Sequence, residues 1–509
     1  MRFVHISACL LILINVNEIH FVKSLGFSRR SKGLNEHLDA YYKKQRPNEA
    51  DELEARLMWF QQKLDHFDNG NKEIWQQRYL AKTKYHEDGG PVFLFISGES
   101  VINTRWLKIG HMAELAKKYG AAMFNLEHRF YGGSKPTVDL KVESLKYLTS
   151  EQALADLAYF ITKMNQEYKF SNLKWFVFGG SYAGSLAAWL RYKYPHLVYA
   201  AVSSSGPLLA EADFPEYFET VTNSLATATP KCVDAIRTAN QKMIDGVTKS
   251  EKRKHYAELF ELCEPFDENE KDITTFFEVL ADNFAAIVQY NRVRLNTETD
   301  TVIFDIDAVC SIMTDENIKC PVHRYAEINK LALTIHEEKC LDHKYSKNIL
   351  RLRDTSYGRQ WLWQSCTEFG FFQTSSNASA PFGDKLTLNY FVDWCTDIFG
   401  PSFNETFLTQ AVEETNMKYG AHSLPVSRVI FIHGSIDPWS PLGITQTPPA
   451  GSYALFIKGT AHCKDMMPET RDDPPQLLAA RNKISEIIEN WLSGKSTGTK
   501  KQSVFYFES

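Results

Sequence analysis

Short apolar runs alternate with amphipathic stretches along the chain between residues 92 and 203. Continuous apolar runs are typical of strands that are buried on both faces of a sheet. Their alternation with helical patterns predicts a parallel sheet covered by helices. Two earlier segments alternate apolar and polar residues, as edge strands do. The predicted edge strands are 59–62 and 74–79, the predicted buried strands are 92–96, 121–126, 175–178 and 199–203, and the predicted helices are 105–119 and 151–168.

The strand–helix alternation stops between residues 214 and 426, where long helical patterns replace it. It resumes with two apolar strands and a closing amphipathic helix. We therefore expect an α/β core, residues 56–212 and 427–493, that is interrupted by a helical insertion at residues 213–426, here called the cap. The patterns concerned are 217–227, 232–247 and 273–290 for the cap helices, 428–433 and 454–458 for the late strands, and 475–491 for the closing helix.

Both ends of the chain are predicted to lie outside the folded core. Arg2 followed by an apolar run at residues 6–14 resembles a secretory signal peptide, assigned to residues 1–24, because the run is too short to span a bilayer comfortably. A buried N-terminal strand or helix is the alternative. Residues 25–55 are polar and charged, typical of a flexible leader or pro-segment, and residues 494–509 are expected to form a flexible tail.

The composition is that of an ordinary globular protein, with 44% hydrophobic and 23% charged residues. The net charge of −5 and the lack of a basic run argue against nucleic-acid binding, and no further stretch suits a membrane span. Eight of the nine cysteines lie outside the signal peptide, an even number that suits disulfides. No Cys-x-x-Cys pair suggests a metal site. With sequons at Asn377 and Asn404, the chain is predicted to be secreted or to reside in the lysosomal or endosomal lumen.

A strand-to-helix corner around Ser181 carries the main chemical signal. The strand at 175–178 precedes the serine, a helix-forming stretch follows it, and small residues flank it on both sides. Such a corner raises a serine above the sheet as the nucleophile of a hydrolase, in the pattern Gly-x-Ser-x-Gly. Here Ala183 takes the place of the last glycine, so the corner alone also fits a glycine-rich turn with a solvent-facing serine.

An acid and a histidine follow two later strands. Asp437 lies just beyond the strand at 428–433, and His462 lies just beyond the strand at 454–458. Catalytic groups of open α/β sheets collect beyond the carboxyl ends of the strands, and the chain order Ser, Asp, His is that of α/β hydrolases. The three residues together predict a catalytic triad.

Six motifs distributed over nearly all of the predicted mature chain carry a resemblance to one family. They are Gln62-Lys63-Leu64-Asp65-His66-Phe67, Gln77-Arg78-Tyr79, Leu126-Glu127-His128-Arg129-Phe130-Tyr131-Gly132, Gly179-Gly180-Ser181-Tyr182, Asp437-Pro438-Trp439 and Gly459-Thr460-Ala461-His462. The chain thereby resembles the serine peptidases that include lysosomal prolyl carboxypeptidase, dipeptidyl peptidase II and thymus-specific serine protease. Ala183-Gly184 and Cys463 are most similar to the thymus-specific branch.

The resemblance implies an α/β-hydrolase fold with a disulfide-bonded helical cap, and cleavage of peptides that in many members lies next to proline near a chain end. It also implies three disulfides and leaves Cys320 and Cys463 either paired or free. Relatives tend to carry a second glycine after Glu99 in the loop 97–100, which this chain lacks. The implied disulfides are Cys232–Cys310, Cys263–Cys340 and Cys366–Cys395.

For this triad we expect Ser181 to attack a peptide carbonyl, His462 to move its proton and Asp437 to hold the imidazole. The amide of Tyr182 and one amide from the loop around Gly98 and Glu99 are expected to stabilise the oxyanion. This chemistry needs no metal or organic cofactor. The expected partners are small or unstructured peptides, with no nucleic acid and no membrane, and the sequence leaves open whether the protein is a homodimer.

Two alternative functions remain, and the direction of cleavage is also open. A secreted carboxylesterase or lipase uses the same triad, although no His-Gly-Gly-Gly oxyanion motif is present, and a catalytically inactive binding protein can share the fold. A peptidase can act as a carboxypeptidase or as a dipeptidyl peptidase, depending on the charged terminus that the cap recognises. Trp439 suits either a pocket wall or the core. Glu127, His128 and Arg129 either line the site or brace the sheet through ion pairs, with the structural role favoured. His66 and His433 are expected to be structural.

Overall fold

A computed structural model describes residues 55–494, except 172, 292, 297–300, 337, 354–356, 377–379 and 447, and also residues 504–508. The predicted signal peptide, the predicted leader up to residue 54 and the sequon at Asn377 lie outside the described residues.

The described residues form a nine-stranded sheet in the order β1-β2-β4-β3-β5-β6-β11-β12-β13. The first two strands pair antiparallel and β2 also runs antiparallel to β4, whereas all the pairs from β4 to β13 are parallel. Helices cover both faces, so the fold is that of an α/β hydrolase. The strands are β1 Arg56–Lys63, β2 Ile74–Lys82, β3 Val92–Ile96, β4 Ala122–Leu126, β5 Trp175–Gly180, β6 Val198–Ser204, β7 Glu211–Asp213, β8 Val293–Asn296, β9 Thr301–Phe304, β10 Gly370–Phe372, β11 Val429–Gly434, β12 Tyr453–Ile457 and β13 Val504–Phe507.

The strand before the serine corner, β5, lies at the centre of this sheet and is buried on both faces. Trp175 and Val177 belong to one hydrophobic core, while Phe176 and Phe178 belong to a second core on the opposite face. Alternate side chains of a strand point to opposite faces, and burying a large apolar side chain contributes about 2–3 kcal/mol. This double burial holds the end of β5 in a fixed position.

Helices outside the cap pack on the two faces of the sheet. Ser150–Tyr168 and Tyr182–Lys193 pack on the face of the first core, and His111–Tyr119 and Pro475–Leu492 pack on the face of the second. The other short helices of this part are Arg105–Lys108 and Val142–Leu145, with 3₁₀ turns at Ser440–Leu442 and Lys464–Met466.

The cap interrupts the sheet between β6 and β11, and its buried side chains are continuous with the first core. The three disulfides implied by the resemblance are present in it. Cys320 and Cys463 are free. The cap helices are Glu216–Ala228, Pro230–Val247, Ser250–Leu259, Glu270–Gln289, Ile306–Thr314, Pro321–Ile335, Tyr345–Arg353, Tyr357–Gln364, Leu388–Phe399 and Glu405–Tyr419, with a π-helix at Ser365–Phe369 and a 3₁₀ turn at Ala421–Ser423.

Two expectations from the sequence are wrong in detail. The helix predicted at 105–119 is broken at Gly110, whose φ of 105° is a conformation that non-glycine residues rarely adopt. The tail at 494–509 contains β13, which pairs with β12. Phe505 and Phe507 pack against the second core, and their alternation with exposed Tyr506 is that of a half-buried edge strand.

Candidate active site

Ser181 occupies the sharp corner between β5 and the helix Tyr182–Lys193. Its φ of 58° and ψ of −134° lie in a region that is costly for a residue with a Cβ atom. The backbone is held on both sides, because the Ser181 amide donates to the carbonyl of Ser204 at 2.9 Å and its carbonyl accepts from the amide of Gly184 at 2.8 Å. The corner is therefore a nucleophile elbow in its backbone geometry.

Two glycines make this corner possible, and neither is the glycine missing from the sequence pattern. A Cβ atom at Gly179 would lie 2.0 Å from the carbonyl oxygen of Ala183, and one at Gly184 would lie 2.8 Å from the carbonyl oxygen of Ser204. Both distances are shorter than any van der Waals contact allows. The close approach of strand and helix thus requires glycine at 179 and 184, whereas position 183 accepts alanine.

Asp437 and His462 form a buried pair beyond β11 and β12. The Nδ1 atom of His462 lies 2.8 Å from Oδ1 of Asp437, and the same carboxylate oxygen accepts from the amide of Trp439 at 3.0 Å. Asp437 is completely buried and His462 is 7% exposed. Neighbouring parallel strands place the two loops side by side, as expected for open α/β sheets.

The pair shifts the pKa of each partner in opposite directions. Burial alone would raise the pKa of Asp437, but the charge and hydrogen bond of His462 outweigh it and hold this pKa below its usual value. Burial likewise favours the neutral form of His462. The Asp437 carboxylate opposes burial here too and raises the pKa of His462 well above the usual 6.5.

The loops that carry Ser181 and His462 touch through their neighbours in the chain. A Cβ atom at Gly180 would lie 2.9 Å from Sγ of Cys463. The amide of Cys463 donates to the hydroxyl of Ser205 at 2.9 Å, just beyond the end of β6. The structure therefore brings all three residues of the predicted triad to one edge of the sheet.

The loop predicted to help bind the oxyanion lies against the start of the same helix. A Cβ atom at Gly98 would be 3.6 Å from the backbone nitrogen of Ala183. This loop therefore packs against the helix two residues after Ser181. Glu99 remains partly exposed. Despite this exposure, the surrounding protein desolvates the carboxyl of Glu99 and raises its pKa, against a backbone hydrogen bond and the charge of His462. The structure thus places the loop with Gly98 and Glu99 next to the first residues of the helix that follows Ser181.

Three of the residues expected to be structural form ion pairs and hydrogen bonds away from Ser181: His66, Glu127 and Arg129. The Asp156 carboxylate accepts from Nε of buried Arg129 at 2.7 Å and contacts Nε2 of His66 at 2.8 Å. The carboxylate of Glu127 binds Nε of Arg78 at 2.7 Å. These groups brace the sheet and the helix Ser150–Tyr168.

The other two histidines lie closer to the site. The ring of His128 contacts the hydroxyl of Tyr182 at 3.1 Å, so it supports the residue after the serine. His433 is buried beneath the acid loop, where burial lowers its pKa to about 4 and keeps it neutral. A Cβ atom at Gly443 would meet its ring at 2.0 Å, which shows how tightly the ring is enclosed.

A cavity with aromatic walls is lined by Trp439, two residues after Asp437, whereas Ser181, Asp437 and His462 are not among its lining residues. Its volume is about 90 Å³. The ring of Trp439 lies 6.5 Å from that of His462, and the ring of Trp361 lies 5.6 Å from that of Tyr182. The remaining lining residues are Phe218, Glu278, Asp282, Leu362, Ser365, Phe371, Phe372, Gln373, Leu386, Phe391 and Trp394.

The cap contributes two residues to the site that the sequence did not single out, Gln289 and Tyr290. The ring of Tyr290 lies 6.4 Å from that of His462. Gln289 contacts both the loop that carries Asp437 and the loop that carries His462. Their only signal in the sequence was the end of a helical pattern at residue 290, which says nothing about the core surface that this end touches.

Neither a metal centre nor a membrane helix is found in the part of the chain that the structure describes. No group of three or more His, Cys, Asp or Glu side chains there could hold a metal ion. No helix in that part combines the length and apolarity needed to cross a bilayer.

The sequence of the whole core and cap matches one peptidase family. The family described as serine carboxypeptidase S28 matches residues 62–484. A Caenorhabditis elegans protein whose name proposes a serine protease is 36% identical over 460 residues, 85% of this chain and 87% of the relative. Human thymus-specific serine protease (Homo sapiens) is 33% identical over 460 residues, 86% of this chain and 87% of its own length.

More distant proteins match over similar lengths. Human lysosomal Pro-X carboxypeptidase is 27% identical over 451 residues, 86% of this chain and 88% of its own length. Among solved structures, proline iminopeptidase from Mycobacterium smegmatis aligns with a TM-score of 0.37 and 10% identity, covering 86% of this chain and 99% of that chain.

Proposed function

Since the chain belongs to the serine carboxypeptidase S28 family, we propose that it is a serine exopeptidase that cleaves small or unstructured peptides next to a proline. The observation that carries the proposal is the strained Ser181 corner beside the buried Asp437–His462 pair. A solvent-facing serine in an ordinary turn needs neither a buried acid–histidine pair nor backbone strain.

In the proposed reaction, Ser181 attacks the scissile carbonyl while Nε2 of His462 takes its proton. Asp437 fixes the other ring nitrogen as a donor and stabilises the imidazolium. The amide of Tyr182 and an amide of the loop at Gly98 and Glu99 stabilise the oxyanion, at about 3–4 kcal/mol for each donor. His462 then protonates the leaving amine, and water hydrolyses the acyl-enzyme.

The cavity beside Trp439 supports a peptide terminus as the substrate group. Aromatic walls suit the flat, apolar ring of proline. Among the described residues that line it, Glu278 and Asp282 are the charged ones and no basic side chain is present. Both carboxylates have partners within the protein, so the lining supports proline beside a chain end but does not assign that end. The proposal therefore includes both the dipeptidyl peptidase direction and the carboxypeptidase direction, for which the lysosomal relatives are named.

A lumenal or extracellular location is part of the same proposal. Three disulfides persist in oxidising compartments, and Pro-X carboxypeptidase relatives are named as lysosomal. Asn404 is exposed at the start of the helix Glu405–Tyr419, where its Oδ1 accepts from the amide of Phe407 at 3.1 Å. An exposed asparagine in a sequon suits a glycan.

A peptide panel tests the direction and the preference. Peptides with proline second from the amino end or second from the carboxyl end, free or N-acetylated, are incubated at pH 5 and pH 7 and followed by mass spectrometry, with Ser181→Ala as the control. We expect cleavage next to proline at one chain end. Dipeptide release that N-acetylation blocks would assign the dipeptidyl peptidase direction, and single residues released from the carboxyl end would assign the carboxypeptidase direction. Random internal cuts would exclude an exopeptidase, cuts independent of proline would exclude the preference, and hydrolysis of simple esters alone would favour an esterase.

A further inference from the structure

The helix Glu270–Gln289 of the cap ends against the two loops that carry Asp437 and His462. Its last residue, Gln289, is completely buried. We propose that Gln289 is a positioning residue for catalysis: it joins the acid loop and the base loop into one rigid unit from the side of the cap. The inference rests on the proposed roles of Asp437 and His462.

The backbone of Gln289 holds the base loop. Its carbonyl oxygen accepts from the amide of His462 at 3.1 Å. The position of the histidine backbone therefore depends on where the cap helix ends. Tyr290, the next residue, places its ring 6.4 Å from the imidazole and covers the same loop.

The side chain of Gln289 holds the acid loop. Its Oε1 accepts from the indole Nε1 of Trp439 at 3.1 Å, and the amide of Trp439 donates to Oδ1 of Asp437 at 3.0 Å. Trp439 thus links Gln289 to the Asp437 carboxylate through two hydrogen bonds. Since an indole nitrogen can only donate, the amide oxygen of Gln289 must face Trp439, and its orientation is fixed.

A second donor locks this orientation. The hydroxyl of Tyr217, from another cap helix, lies 2.8 Å from the same oxygen of Gln289. Tyr217 and Gln289 are both completely buried, so water cannot replace either partner without opening the interface between cap and core.

Catalysis is sensitive to the relation between the two loops. The bond between Asp437 and His462 joins loops from different strands, and each loop touches Gln289 by one hydrogen bond. A displacement of about 1 Å at a catalytic group can cost about 100-fold in rate. Removing the side-chain acceptor should therefore lower kcat more than it weakens substrate binding in the cavity, which Trp439 also lines.

The variants isolate this role. Gln289→Met keeps the length of the side chain and removes the acceptor. Gln289→Glu keeps an acceptor for both donors, and Tyr217→Phe removes one donor as a milder change. Asn329→Leu is the matched control, because Asn329 is also a buried cap amide and donates to the carbonyl of Phe260 at 3.0 Å.

Three measurements are made on each folded variant: kcat and KM, the acid limb of the pH–rate profile, and the low-field proton resonance of the histidine Nδ1–H bound to the carboxylate. For Gln289→Met we expect kcat to fall about 10- to 100-fold, with a smaller change of KM through Trp439. The acid limb should move to lower pH because a looser Asp437 contact lowers the pKa of His462, and the resonance should broaden or shift. Tyr217→Phe should show smaller changes of the same sign, and Gln289→Glu should regain most of kcat.

The inference is overturned if Gln289→Met keeps the wild-type kcat, pH limb and resonance. It is also overturned if Asn329→Leu, at an equal loss of thermal stability, loses kcat to the same extent, because the effect would then be structural only. The Nδ1–H resonance can be measured without substrate turnover. A wild-type protein without peptidase activity would therefore refute the proposed function, while a resonance unchanged in Gln289→Met would refute the positioning role.

Discussion

The Nδ1 atom of His462 lies 2.8 Å from Oδ1 of Asp437, with both side chains almost completely buried. The carboxylate carries no proton, because the pKa of Asp437 lies below its usual value, so Nδ1 must be the donor in this bond. The second ring nitrogen of neutral His462 is then left as a proton acceptor. This relationship prepares the histidine to act as a general base.

The activity should fall on the acid side with a midpoint above pH 6.5. His462 accepts the serine proton only when it is neutral, and the Asp437 carboxylate raises its pKa above 6.5. Lowering the pH through this pKa protonates the ring and removes the base. The measurement is kcat/KM against pH with a fluorogenic prolyl peptide. A midpoint near pH 5 would contradict the expected effect of Asp437.

Asp437→Asn serves as the control for this profile. Loss of the negative charge should move the acid limb to lower pH, and the wrong tautomer should reduce kcat by about 10⁴-fold, as in other triads. A loss of less than tenfold would mean that the pair does not orient the base.

Glu368 should contribute more to the stability of the fold as the pH falls from about 8 towards 4.5. Burial raises the pKa of Glu368 to about 7, against the hydrogen bonds that it accepts from Ser150. The folded state therefore binds a proton that the unfolded chain binds only near pH 4.5, and the difference is worth about 3 kcal/mol. This contribution is complete below pH 4.5 and lost as the pH rises through 7.

Urea unfolding of wild type and Glu368→Gln at pH 5 and pH 8 checks this prediction. The side chain of the variant does not titrate, so the free energy of unfolding of the wild type, relative to that of the variant, should be higher at pH 5 than at pH 8. An equal difference between the two proteins at both pH values would show that Glu368 is not responsible.

Gly179→Ala should prevent the elbow from forming, whereas Gly98→Ala should be tolerated. The new Cβ atom would lie 2.0 Å from the carbonyl of Ala183 in the first variant but 3.5 Å from the Cβ of Ala183 in the second. The backbone at the centre of the sheet is too closely packed to move aside. Soluble yield and thermal melting of the two variants are the measurements, and equal stability would contradict the close strand–helix approach.

The disulfide Cys366–Cys395 should stabilise the cap. It closes a loop with a sequence separation of 29 residues, for which loss of the bond costs about 3 kcal/mol. The variant with both cysteines changed to alanine should melt at a clearly lower temperature without reductant. Cys320→Ala, which removes a partly exposed free thiol, is the control and should melt like the wild type. Equal melting of the two variants would show that the bond adds no stability.

Local features explain why much of the site could be predicted. The corner at Ser181 follows from one apolar strand, small residues and a helix within a short stretch, and Asp437 and His462 each follow a strand of their own. The disulfide pairs are different: they followed from the resemblance to a family, because eight cysteines allow many pairings.

Contacts between distant segments explain what could not be predicted. Phe505 joins the sheet beside Leu455 of β12, and nothing within residues 494–509 indicates that neighbour. The end of the helix at Gln289 meets Trp439 only because the cap folds over the core, across 150 residues of sequence. Side-chain periodicity reports the face that an element buries but not the partner that covers it.

The central claim is that Ser181 is a nucleophile activated by His462, and a fluorophosphonate probe tests it most directly. Wild type, Ser181→Ala and Asp437→Asn are incubated with the probe, and the modified residue is identified by mass spectrometry while peptidase activity is followed in parallel. We predict a single adduct on Ser181 that forms as activity disappears, slower labelling of Asp437→Asn and none of Ser181→Ala. An unlabelled wild type, or equal labelling of Ser181→Ala, would contradict the assignment.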